Sequence, residues 1–262
     1  AVAENGGALT GRTGPEGRVE ELALGSREFR RLELGGGEGN VFTIEPLLPP
    51  EDLREMALAA KPPEEEGEFR PSDLVELTSL DPTILLDIRY ASTENFMQQV
   101  FYSSPRAFLQ RPAAEALVQA HRWLKGRGYG LLIHDGYRPW YVTKMFWDAT
   151  PEHLKDFVAN PASGSRHNRG CAVDLTLYYL DTGEPVVMPA GFDEMSPRSH
   201  ADYPGGTTRQ RWHRSLLREA MEAQGFTVYP GEWWHFDFRD WQAYRIQNQV
   251  FEEIGRTGEG MQ

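Results

Sequence analysis

Segments with a two-residue period and segments with a helical period follow one another along this chain in no regular rhythm. That mixture limits the fold more than any other feature. Residues 170–179 alternate: Cys171, Val173, Leu175 and Leu177 share one face, and Ala172, Asp174, Thr176 and Tyr178 the other. Segments 84–90, 129–134, 226–229 and 233–238 also read as strands, with a turn at 135–137. Apolar spacing predicts helices over 113–125, 141–148, 152–158 and 210–224. Pro112 and Gly126 bracket the first of these, and Gly225 stops the last. Strands and helices without a βαβ repeat predict an α+β fold, with a mixed or antiparallel central sheet flanked by helices.

The first forty residues differ from the rest, since ten of them are glycine. A strand over 28–34, another over 41–44, a helix over 51–60 and a charged linker over 61–68 are expected there. The expected organisation is an extension at 1–70, a folded domain at 71–255 and a flexible tail at 256–262. With 40% hydrophobic residues, the chain can build a sizeable core. Its apolar runs, as at 84–86 and 131–133, fall far short of the roughly 20 residues a membrane span needs. A net charge of −12 without a basic block argues against nucleic acid as a partner. The single cysteine, Cys171, excludes a disulfide framework or a Cys-rich zinc cluster and reads as a small core residue. Any metal site must therefore use histidines and carboxylates. The chain begins Ala1-Val2-Ala3, which fits removal of a targeting segment; the compartment stays open between periplasmic or secreted and cytoplasmic. The oligomeric state is open as well.

Three clusters can carry chemistry. In the first, Ser165 and His167 precede the alternating segment that presents Asp174, and Gly170 permits a tight bend between them. A neutral imidazole and a carboxylate converging on one point suit zinc; a capped loop with a buried, satisfied Asp is the alternative. The second is Glu232-Trp233-Trp234-His235-Phe236-Asp237-Phe238. His235 is a further candidate ligand, with Asp237 a rival by strand parity or a support from behind. Glu232 belongs to the opposite face of an unbroken strand, but Pro230-Gly231 lets it begin irregularly and turn inward as a general base. The plain alternative is an aromatic core strand with a surface Glu. The third is Asp135-Gly136-Tyr137-Arg138-Pro139, whose guanidinium can stabilise an oxyanion or simply sit ion-paired on a turn. Smaller pieces are Asp193 beside Phe192, and Tyr90 in Arg89-Tyr90-Ala91, each with a bland reading as packing or turn chemistry.

Together these clusters resemble the zinc D-alanyl-D-alanine dipeptidases. The shared pattern S-x-H-x-x-G-x-A-x-D followed by E-x-x-H reads here as Ser165, His167, Gly170, Ala172 and Asp174, then Glu232 and His235. D-G-Y-R-P stands at 135–139. The R-Y-A-T-x-x-N-F segment stands at 89–96, with Ser92 in place of Thr, and F-D before S-H stands at 192–193 and 199–200. These motifs run in order from about 84 to 240. The resemblance implies the Hedgehog/D,D-peptidase fold and one zinc ion per chain, held by His167, Asp174 and His235 with a fourth position for water. It implies that Glu232 moves the proton from water to the leaving amine and that Arg138 stabilises the oxyanion. Asp193 and Tyr90 then hold the substrate ammonium, and Ser165 assists at the substrate's backbone or carboxylate end. The implied reaction is hydrolysis of free D-Ala-D-Ala, part of cell-wall peptide metabolism. Activity on acylated or longer wall peptides, as a D,D-carboxypeptidase or endopeptidase, and a silent zinc- or wall-binding module are the alternatives.

Overall fold

Segment 172–179 becomes the central strand of a five-stranded sheet in the computed structural model. The structure describes residues 43–254, together with the backbone of strands β1 (Leu9–Thr13), β2 (Val19–Leu24) and β3 (Arg27–Phe29), which pair antiparallel in that order. Part of the expected strand over 28–34, residues 41–42 of the expected strand over 41–44, and the expected tail lie outside the described residues.

The remaining elements are α1 (Pro50–Ala59), β4 (Leu74–Glu76), α2 (Leu77–Leu80), β5 (Leu85–Leu86), β6 (Phe108–Gln110), α3 (Arg111–Lys125), β7 (Tyr129–Asp135), α4 (Trp140–Ala149), β8 (Ala172–Tyr179), α5 (Thr208–Glu222), β9 (Phe226–Tyr229) and β10 (Glu232–Phe238). The large sheet has the order β5-β7-β8-β10-β9, with β5 parallel to β7 and every other pairing antiparallel. It is the mixed sheet of an α+β fold. Seven of the eight β8 residues are buried, so this strand is covered on both faces and neither face is left polar for solvent. A short pair, β4 with β6, stands apart from the large sheet.

The helices pack by one buried face each, which is aromatic in α4 and largely small and aliphatic in α3. In α3 the buried set is Ala113, Ala114, Leu117, Val118, Ala120, His121 and Leu124, a stripe at helical spacing that lies on β7. Helix α5 packs against α3 and β9, and α1 lies on α4 through Leu53 and Ala57. Helix α5 starts two residues before the expected 210 because Thr207 and Gln210 close a capping box.

Three expectations fail. Segment 84–90 is a strand only at Leu85–Leu86 and then winds into a 3-10 turn, Arg89–Ala91, as the Ala91 N–H bonds the carbonyl of Ile88. Segment 152–158 is a 3-10 turn, Glu152–Phe157, with no buried residue; it lacks the apolar face that would hold an α-helix. Thr43 and Ile44 are not in a strand; the Ile44 N–H donates to the Phe96 carbonyl. The turn at Arg89–Ala91 has a consequence for the site. It drives Tyr90 into a cluster of edge-on rings with Phe96, Phe101 and Tyr102.

Candidate metal centre and substrate cleft

The sheet register brings the chemistry together. Asp174 in β8 stands opposite His235 of β10 on one side and Asp135 of β7 on the other. His167 arrives on a 3-10 turn, His167–Arg169, that ends at Gly170 with φ +69°. That left-handed residue reverses the chain into β8, and a Cβ there would lie 2.5 Å from Leu74 Cδ2.

The hydrogen bonds fix which atoms face one another. His167 Nδ1–H donates to the Gly136 carbonyl at 2.7 Å, leaving Nε2 as a lone pair. His235 Nε2–H donates to Asp237 Oδ1 at 2.9 Å, leaving Nδ1 as a lone pair. These two nitrogens are 3.1 Å apart. Asp174 Oδ1 is 3.0 Å from His235 Nδ1 and Oδ2 is 3.4 Å from His167 Nε2. The first contact is off the line of a hydrogen bond, so Oδ1 is a buried acceptor with no donor. Three acceptors within 4.8 Å of one another, backed by a carbonyl and a carboxylate, form a donor set that fits a divalent cation. Burial opposes a charge on His235, but the carboxylates of Asp174 and Asp237 lift it to about 10. Burial also works against the Asp174 carboxylate, yet His167 and His235 hold it well below its ordinary value.

Glu232 reaches this point through a break in strand geometry. Glu232 pairs with Tyr229 while Phe236 pairs with Val228, so β10 carries extra residues between the two pairs. The irregularity turns Glu232 to the side of His235, with Oε2 3.7 Å from His235 Nδ1. Burial raises the Glu232 carboxyl, partly offset by His235. Arg138 is buried and directs Nε and Nη2 to Asp135 Oδ2, at 2.9 and 2.8 Å. Its Nη2 is 3.8 Å from Asp174 Oδ2, and its guanidinium lies beside the rings of Tyr90 and Phe146, 5.2 and 5.0 Å from their centres. Asp135, fully buried, also accepts from the Tyr102 hydroxyl and the Gly136 N–H.

Asp193 has the left-handed φ of +57° and accepts the Tyr90 hydroxyl at 2.8 Å. Burial pushes its carboxyl well above the usual range. Phe192 stacks on His134 and meets the edge of Trp234, while Glu194 pins the loop by accepting from the Gly191 N–H and the Ser196 hydroxyl. The Ser165 hydroxyl accepts from the His167 N–H, which shapes the turn that carries His167.

Tyr90, Arg138, Ser165, His167, Asp174, Asp193, Glu232 and His235 all line one cleft of about 420 Å³. The eight residues to which the resemblance gives a role are thus brought to one place. Asp237 stands behind His235, outside the ligand cluster. Cys171 is buried in the core, where burial raises its thiol to about 12. Two structural supports were missed. Asp135 orients Arg138, and its three-residue spacing was a visible sign. Asn168 ties Ser165 to the Arg138 carbonyl and Thr143, and nothing in the sequence marks it.

The sequence matches the D-ala-D-ala dipeptidase family over residues 70–254. It is 35% identical over 180 residues to the D-alanyl-D-alanine dipeptidase of Escherichia coli K12, covering 69% of this chain and 92% of that one. It is 39% identical over 172 residues to the enzyme of the same name from Enterococcus faecium, covering 59% and 85%. Among solved structures, the vancomycin-resistance D,D-pentapeptidase VanY in complex with Zn(II) is 17% identical. That comparison covers 59% of this chain and 87% of that one, with a TM-score of 0.35.

Proposed function

The chain belongs to the D-ala-D-ala dipeptidase family, and from that premise we propose that it cleaves the free dipeptide D-Ala-D-Ala at a single zinc ion held by His167, Asp174 and His235. The observation that carries the metal assignment is the convergence of two imidazole lone pairs and the Asp174 carboxylate, whose Oδ1 is a buried acceptor without a donor. Zinc, when bound, supplies Lewis acidity that polarises a carbonyl and makes water a better nucleophile.

The protein's own groups do the rest. Glu232, beside His235, takes a proton from the attacking water and returns it to the leaving amine; its raised carboxyl suits both steps. Arg138, held by Asp135 and set against two rings, offers a fixed positive charge where the oxyanion develops. Asp193 and the Tyr90 hydroxyl receive the substrate ammonium, and that cation restores the charge that burial disfavours on Asp193. An acylated amine would bring no charge and leave a buried carboxyl without its partner, at a cost of about 1–3 kcal/mol.

The test is release of D-Ala from D-Ala-D-Ala and from N-acetyl-D-Ala-D-Ala by zinc-loaded protein, with a chelator-treated control. Chelator-sensitive turnover of the free dipeptide, lost with the acetyl group, is the expected result. Turnover of the acetylated peptide would move the protein to the carboxypeptidase class. In Asp193→Asn the discrimination between the two substrates should shrink; an unchanged ratio would remove Asp193 from ammonium recognition.

A further inference from the structure

The substrate in the reading above is a zwitterion, and that reading gives its ammonium a partner but leaves its carboxylate without a cation. The cleft already carries Asp174, Asp193 and Glu232. A further carboxylate entering such a place is disfavoured unless a cation receives it. Three guanidinium groups line the cleft, Arg138, Arg166 and Arg169, and its lining includes no lysine.

Two of the three are committed. Arg138 spends Nε and Nη2 on Asp135. Arg169, with a side chain only 10% exposed, donates through Nη1 to the Tyr244 carbonyl and through Nη2 to Glu65 Oε1. Arg166 differs from both. Its side chain is 39% exposed, it has one ion pair, from Nη1 to Asp237 Oδ2 at 2.9 Å, and its guanidinium lies 4.8 Å from the centre of the Trp241 ring. The Nε–Nη2 edge has no protein acceptor among the described residues.

We propose that Arg166 receives the free carboxylate of the dipeptide and so makes a free C-terminus, as well as a free N-terminus, a condition for productive binding. Asp237 and Trp241 hold one side of the guanidinium still, which leaves a planar edge of two N–H donors that matches a carboxylate. Arg166 directly precedes the ligand His167 and follows Ser165, so its backbone is fixed to the turn that carries the metal site. A dipeptide is then gripped at both charged ends. A peptide extended or amidated at its C-terminus keeps the scissile bond but loses this pair.

The experiment compares kcat and KM for D-Ala-D-Ala and D-alanyl-D-alaninamide in zinc-loaded wild type, Arg166→Gln and Arg166→Lys. Zinc affinity is measured by chelator competition on the same samples. Wild type should favour the acid by about tenfold or more in kcat/KM, the scale of one lost charged pair. In Arg166→Gln that preference should fall to near unity, mainly through a higher KM for the acid, and Arg166→Lys should recover part of it. A preference unchanged in Arg166→Gln would overturn the proposal. So would a zinc affinity that falls while the acid-to-amide ratio stays, which would assign Arg166 to holding Asp237 instead. Wild type that cleaves acid and amide equally overturns the proposal alone; wild type that cleaves neither overturns the dipeptidase reading as well.

Discussion

His235 and Asp237 sit two residues apart on β10, and the bond between them, His235 Nε2–H to Asp237 Oδ1 at 2.9 Å, decides which imidazole nitrogen is left as a lone pair beside Asp174. A strand places residues i and i+2 on one face, so the proposed ligand and its support come from one local pattern. Asp237 is itself held by Arg166 at 2.9 Å. Removing such a carboxylate behind a histidine ligand typically weakens metal binding by about 10- to 100-fold. Asp237→Ala should lower zinc affinity by that factor in chelator competition while keeping one zinc per chain at saturation. Zinc affinity equal to wild type would mean that the bond does not orient the ligand.

Glu232 has the opposite profile. Its Oε2 is 3.7 Å from His235 Nδ1, yet the three candidate ligand atoms come from other residues. Glu232→Gln keeps the side-chain shape and removes the ability to take a proton. Zinc content should stay near that of wild type while kcat falls by about 10²–10⁴, the usual worth of a positioned acid–base group. Loss of zinc in this variant would reassign Glu232 as a ligand.

The parts of the site that were legible in the sequence are those whose geometry is local. His235 and Asp237 follow from strand parity, Gly170 from the need for a bend, and the Glu232 irregularity from Pro230-Gly231. The convergence of His167 with Asp174 needed the resemblance, because a histidine before a strand equally fits a capped loop. The errors were local too. The spacing over 152–158 predicts a helix, but the segment has no buried face to hold one and closes as a 3-10 turn. Segment 84–90 alternates well enough for a strand, yet only two residues pair with β7, because the chain then winds around Tyr90. Asn168 and Glu65 were out of reach, since each acts on partners distant in the sequence. Glu65 reaches Arg169 across 104 positions.

That pairing makes a stability prediction. Arg169 is nearly buried next to the turn that holds His167, and Glu65 Oε1 meets its Nη2 at 2.5 Å. Glu65 Oε2 also accepts the Ile246 N–H at 2.7 Å, and its carbonyl accepts from Arg245. Removing one member of a buried ion pair leaves an uncompensated charge, typically costing about 3–5 kcal/mol. Glu65→Ala should lower the melting temperature by roughly 10 °C. Pairing this change with Arg169→Met should recover part of the loss, since the stranded charge is then gone. Additive losses in the double variant would show that the two residues act independently.

His121 gives stability a pH dependence separate from the metal site. It is fully buried on the inner face of α3, its Nδ1 accepts the Leu131 N–H at 3.0 Å, and its Nε2–H donates to Thr83 Oγ1 at 2.9 Å. That arrangement requires the neutral ring. Burial lowers its pKa to about 4, against the pull of Asp81 in the other direction. The folded state therefore declines a proton that the unfolded chain accepts below about 6.5. Stability contributed by the neutral ring is complete above that pH and is lost as pH falls from about 6.5 towards 4, by at most about 1.4 kcal/mol per unit. Urea melts at pH 7 and pH 5 should show wild type losing more stability on acidification than His121→Gln, which cannot titrate. Equal losses would mean that His121 takes up its proton in the folded state as readily as in the unfolded one.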